Sequence, residues 1–122
     1  MIKRFEDLIT WQEARKLTKM IYETTKTPVF NKDVDMLKHM RRTAVSIMAN
    51  IAEGFGRYSL KESKQFFTNA RGSNSELQSH LYVAIDQLYM SKIQFDDIYQ
   101  QTVLVNKLIN GLIKNTLKLM NS

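Results

Sequence analysis

The segment RRTAVSIMANIAEGFGR, residues 41 to 57, sets Arg42, Ser46, Asn50, Glu53 and Arg57 at spacings of four, four, three and four. At 100° per residue these fall in one stripe of any helix that persists so far, putting an amide, a carboxylate, a hydroxyl and two guanidinium groups side by side. Two uses fit such a stripe. Arg42 and Glu53 can pair with opposite charges on neighbouring helices, Glu76 for example, while Asn50 bonds backbone or side chain; alternatively the set forms one wall of a ligand groove. Polar groups beside a packed interface generally acquire partners and often specify register, which favours the first use. Asn50, Glu53 and Glu76 are therefore the candidate structural polar network.

The cations point elsewhere. From residue 38 to residue 71, Lys38, Arg41, Arg42, Arg57, Lys61, Lys64 and Arg71 face only Glu53 and Glu62, so this third of the chain holds five of its six net positive charges. Such a cluster can neutralise phosphates, and Phe55 or Tyr58 in the adjoining Gly-Phe-Gly-Arg-Tyr stretch can stack on an exposed base. Solvated lysines and core aromatics explain the same residues equally well on sequence alone. The candidate nucleic-acid contacts are Arg41, Arg42, Arg57, Lys61, Lys64 and Arg71.

Catalytic constellations are thin. His39 and His80 each lack a histidine partner at i, i+4 and the clustered carboxylates of a helical metal site, so no metal is expected. Ser73, Ser75 and Ser79 precede His80, but no acidic orienter is signalled for a hydrolytic triad. Gly54-x-Gly56 lacks the third glycine and the preceding strand of a dinucleotide fingerprint. No cofactor and no enzyme activity are expected.

The elements that must position these residues are helices, because apolar residues recur at three and four and no stretch alternates with period two. Thr10-x-x-Glu13 reads as a capping box opening a first helix, with Trp11, Ala14, Leu17 and Ile21 inward and an end before Pro28. A second helix starts near Asn31 to Asp33 and runs to Glu53, with Gly54 and Gly56 as its stop and Leu37, Met40, Ala44, Ile47 and Ile51 as its stripe. Its apolar positions also spread through Val45, Met48, Ala49, Ala52 and Phe55, so it is either central or packed against another subunit. Ser59-x-x-Glu62 is a second capping box, opening a continuous third helix with Phe66, Ala70, Ser73, Leu77, Leu81, Ala84 and Leu88 on one face. A fourth helix carries Ile98, Val105, Leu108, Leu112 and Leu119. Short links make the fold all-α, an antiparallel up-and-down four-helix bundle in a single domain over residues 1–122.

Composition agrees. At 43% hydrophobic and 25% charged the chain suits an ordered protein, and a net charge of +6 favours an anionic partner. Without cysteine there is no disulfide framework, and without a signal peptide or a long uncharged apolar run, no membrane partner is expected and the cytoplasm is the expected setting.

The blocks FEDLITWQEARKL, MRRTAVSIMANIAEGFGRYSLKE and FFTNARGSNSELQSHL resemble the bacterial four-helix-bundle family encoded within 23S rRNA intervening sequences, often labelled a ribosomal protein. The resemblance spans nearly the whole chain, with RR-x-x-x-SI-x-x-NIAEG-x-GR its most specific motif. Met48 stands where many relatives carry proline, so a family kink in the second helix is not expected here, and Thr43 stands where alanine is usual. The resemblance implies a ring-like homopentamer and kinship with the accessory protein of diversity-generating retroelements, which works beside a reverse transcriptase. It makes Arg41, Arg42, Arg57 and Arg71 candidates for contacts with nucleic acid or between subunits. The expected function is a non-enzymatic oligomeric adaptor contacting structured RNA; the alternative is a protein-interaction scaffold that binds no nucleic acid.

Overall fold

Pro28, Asp33, Ser59 and Ser91 punctuate the chain into its helices. In a computed structural model, which describes residues 2–122, these are α1 (Ile9–Thr25), α2 (Val34–Phe55), α3 (Leu60–Asp86) and α4 (Lys92–Met120), with 3-10 turns at Phe5–Asp7 and Pro28–Lys32. Each helix packs on the next and α4 closes on α1, giving an antiparallel up-and-down bundle. No helix among the described residues is long and apolar enough to cross a membrane.

The start of α1 differs from the capping-box expectation. Thr10 lies inside the helix and is buried, and the N-cap falls on Leu8, which makes no side-chain capping bond. The preceding 3-10 turn takes over this end: Gln12 donates Nε2–H to the Glu6 carbonyl, and Phe5 packs edge-on against Trp11 at 5.1 Å. Glu13, instead of reaching back along α1, receives Gln101 Nε2 from α4 on its carbonyl and its carboxylate, at 2.9 and 3.1 Å.

Asp33 caps α2 by accepting from the Met36 N–H, and the helix runs past its expected stop to Phe55. Gly54 is buried inside it, where a Cβ would come within 2.5 Å of the Phe67 ring. Its role is close approach of α2 to α3, and Gly56 caps the helix in ordinary right-handed geometry.

Ser59 caps α3, which continues unbroken across Gly72 and Ser73. Of its expected inward face Ala70, Leu77, Leu81 and Ala84 are buried; Phe67 and Asn74 join them, while Phe66 and Ser73 lie at the edge. Similarly Ile109 and Ile113, with Thr102 and Thr116, fill the core from α4, whereas Leu108 and Leu112 are half-buried and Leu119 is exposed. A Ser91–Gln94 capping box, absent from the sequence expectation, opens α4.

Leu88, expected in the core, is instead 82% exposed with φ of 62°. It occupies the left-handed position of a Schellman motif: Tyr89 N–H reaches the Ala84 carbonyl at 2.8 Å and Leu88 N–H that of Ile85 at 3.0 Å. The motif turns the chain so that Tyr89 packs on Phe30 and donates its hydroxyl to Asp33. A leucine held there costs about 1–2 kcal/mol, and glycine's greater freedom in the unfolded chain offsets part of any relief. Leu88→Gly is expected to raise stability by about 0.5–1 kcal/mol, measured as the urea-unfolding midpoint at unchanged slope.

Candidate nucleic-acid interface

The stripe on α2 lies along its seam with α3. Ser46 and Ser73 hydroxyls meet at 3.0 Å, and Asn50 Nδ2 donates back to the Ser46 carbonyl and hydroxyl at 2.8 and 3.1 Å. Arg57, just beyond the C-cap of α2, pairs with Glu53 at 2.6 Å and lies over the Phe66 ring at 4.5 Å. Glu76 sits 3.9 Å from His80. Asn50, Glu53 and Glu76 thus belong to three separate local sets: Asn50 bonds Ser46, Glu53 pairs with Arg57, and Glu76 approaches His80 without a hydrogen bond. Arg42 is exposed on the outer side of α2.

The remaining cations divide by direction. Arg41 is half-buried, donating Nε–H to Thr25 Oγ1 at 2.8 Å and covering Tyr22 at 4.8 Å, so it ties α2 to α1. Lys61, Lys64 and Arg71 lie on the opposite side of the bundle, toward α4. Arg71 donates to Asn110 Oδ1 at 3.0 Å, using one of the five guanidinium donors. Tyr58, in the α2–α3 link, is fully exposed, while Phe55 is half-buried beside an apolar recess of about 330 Å³ that also takes in Leu8, Phe67 and Leu112.

Buried amides and hydroxyls set the α3–α4 pairing. Asn74 Nδ2 donates to the Thr102 carbonyl at 2.9 Å and Gln78 Nε2 to Thr102 Oγ1 at 3.0 Å. Carried along the antiparallel pair, this register places Lys64 opposite Leu117 and brings a second set of cations beside the first: Lys107, Lys114 and Lys118, spaced seven and four on the exposed side of α4. Sequence reading passed over these three, although their spacing is helical and α4 carries no acid after Asp97. Only the fold shows that they adjoin Lys61, Lys64 and Arg71.

Among the described residues, none of these six cations is ion-paired. Glu62 is the one carboxylate in the first half of α3, and it projects roughly 100° around the helix from Lys61. The face is therefore a strip of like charge about 15 Å long on two helices, set by the 1.5 Å rise per residue. Lys118 suits the end of α4, but Lys61 sits in the first turn of α3, where the helix dipole disfavours a cation.

The two histidines meet across the α2–α3 seam, His39 and His80 with ring centroids 5.7 Å apart. His80 Nε2 is buried without a hydrogen-bond partner among the described residues, as is Asn74 Oδ1. Burial pushes the His80 imidazole below its ordinary pKa of 6.5, with Glu76 opposing and His39 adding to the shift. No group of three or more His, Cys, Asp or Glu side chains among the described residues is placed to hold a metal.

The model of the family described as 23S rRNA-intervening sequence protein matches residues 6–111. A solved structure from Bacteroides thetaiotaomicron VPI-5482, described as a protein with unknown function from the S23 ribosomal protein family, superposes with a TM-score of 0.80. It is 23% identical, and the match covers 87% of this chain and 99% of that one. That likeness establishes the fold. Among the curated proteins none matches.

Because the folded state holds His80 below 6.5, the unfolded chain takes up the proton first as the pH falls. This histidine's contribution to stability is complete above about 6.5 and is lost as the pH drops from there toward the lowered folded value. His80→Leu removes that dependence: between about pH 7 and pH 5 the wild type is expected to lose stability relative to the variant, measured by urea unfolding at each pH.

Proposed function

This chain belongs to the 23S rRNA-intervening sequence protein family, and from that premise we propose that it is a non-enzymatic nucleic-acid-binding protein whose contact surface is the α3–α4 face. One observation carries the reading: six cations without ion-pair partners among the described residues, gathered on two adjacent helices with no intervening carboxylate. Cations at such density, four of them exposed and Lys64 and Arg71 half-buried, repel one another and attract a polyanion, and each phosphate they neutralise releases counterions. Lys61 adds to this, since a cation at a helix N-terminus serves binding better than it serves the helix. Arg41 is a packing residue in this reading, and Arg57 is held by Glu53 and Phe66 at the α2–α3 seam.

The protein acts as a homo-oligomer in this proposal, with the pentameric ring implied by the family resemblance as the form to test. Support comes from apolar residues left open on the outer side of α2, where Val34 and Val45 are 48% and 41% exposed and Ala49 is exposed as well, beside Lys38 and Arg42. Repetition of the basic face around a ring would let weak phosphate contacts add by avidity. The cytoplasm is the proposed setting.

Two experiments test these parts separately. Changing Lys107, Lys114 and Lys118 together to Ala is expected to weaken RNA binding at every salt concentration. The slope of log K against log salt should become shallower by about 2 for single strands and about 3 for duplex, whereas Arg41→Ala should lower stability and leave the slope unchanged. An oligomer that binds neither RNA nor DNA would favour the protein-interaction scaffold instead. Val45→Glu is expected to reduce the mass found by light scattering, with helicity retained; an unchanged mass would remove α2 from the subunit contact.

A further inference from the structure

The α3–α4 seam does not end with the cations. Arg71 meets Asn110 across it, and eleven residues further along each helix Tyr82 meets Tyr99, with ring centroids 5.6 Å apart. Eleven residues make three turns and about 20°, so both pairs open on the same side of the bundle, roughly 16 Å apart. Phe95 completes the second rung, stacked on Tyr99 at 5.4 Å and 22° and lying 5.1 Å from Tyr82. Tyr82 is 51% exposed, as is Val103 one turn beyond Tyr99, while Phe95 and Tyr99 are half-buried against the core. The nearest acid on α4, Asp96, is neutralised by Lys92 at 3.1 Å, while Asp86 remains unpaired near the end of α3.

A face that is cationic along one half and aromatic along the other has two demands of a ligand. The cations require phosphates, which any nucleic acid supplies. The rings require a flat apolar surface, which a duplex keeps inside its stack and a single strand presents at each base. We infer that the α3–α4 face takes single-stranded nucleic acid, its phosphates running past Arg71, Lys107 and Lys114 and an unpaired base stacking against the Tyr82 and Tyr99 rings. The inference rests on the nucleic-acid reading above and adds the strandedness of the ligand. It also explains why a bulky aromatic is half exposed at a seam whose buried contacts are amides and hydroxyls.

The probe is a short single-stranded RNA containing 2-aminopurine, compared with the same sequence in a duplex, at one salt concentration. The wild type is expected to bind the single strand more tightly and to quench its fluorescence by stacking. Tyr82→Leu keeps apolar bulk but removes the ring: it should weaken the single-strand complex about tenfold, change duplex binding less than twofold, and abolish the quenching. Tyr82→Phe should retain all three properties. If Tyr82→Leu leaves both ligands unaffected while the triple lysine change weakens both, the stacking inference falls and the basic face stands. If neither change alters binding, both fall. A lower mass for Tyr82→Leu in light scattering would assign the aromatic cluster to a subunit contact and also overturn the inference.

Discussion

The hydrogen bonds that Asn74 and Gln78 send from α3 to Thr102 on α4 set the register on which the candidate surface depends. Apolar packing alone tolerates sliding of one helix past another, since one Leu or Ile replaces another in a neighbouring layer. A buried amide does not. Asn74 is fully buried, and a displaced α4 would strip its remaining hydrogen bond at a cost of about 1–3 kcal/mol. Once Thr102 is fixed, the antiparallel geometry sets Arg71 beside Asn110, Tyr82 beside Tyr99, and the lysines of α4 alongside those of α3.

The other side of α3 is positioned by size. Gly54 leaves room for the Phe67 ring, and the paired hydroxyls of Ser46 and Ser73 meet at 3.0 Å, so α2 and α3 lie close. Closeness there rotates α3 so that Phe66 emerges at the edge beneath Arg57, and the opposite edge, with Lys64 and Arg71, turns toward α4. Small residues on one seam therefore decide which cations the other seam displays.

The helices and their order were legible from punctuation and period, since Pro28, the Asp33 region and Ser59 act locally through backbone donors and φ. The inward faces of α3 and α4 were less so. A wheel that ranks Phe, Leu and Val above Asn and Thr chooses Phe66, Leu108 and Leu112, yet the core admits Asn74, Thr102 and Thr116, each of which finds a bond inside it. Leu88 was misplaced because its periodic spacing continues through a left-handed turn that periodicity cannot detect. Among the site residues, the lysines of α4 were readable as a stripe but not as neighbours of Lys64, for that adjacency arises only from topology. The meeting of His39 with His80 was hidden for the same reason.

The exposed cations also show how a charged face can coexist with a small bundle. At the surface their mutual repulsion is screened within about 8 Å at physiological ionic strength, so each lysine costs the fold little. Bringing a polyanion against the same face excludes part of that solvent and strengthens every cation–phosphate contact at once. In the proposed function the two regimes differ in dielectric and not in structure, so the α3–α4 pair, held by the hydrogen bonds of its buried amides, needs no rearrangement to meet a phosphate. A cation already engaged, as Arg41 is with Thr25 and Tyr22, contributes to the first regime and is spent before the second begins.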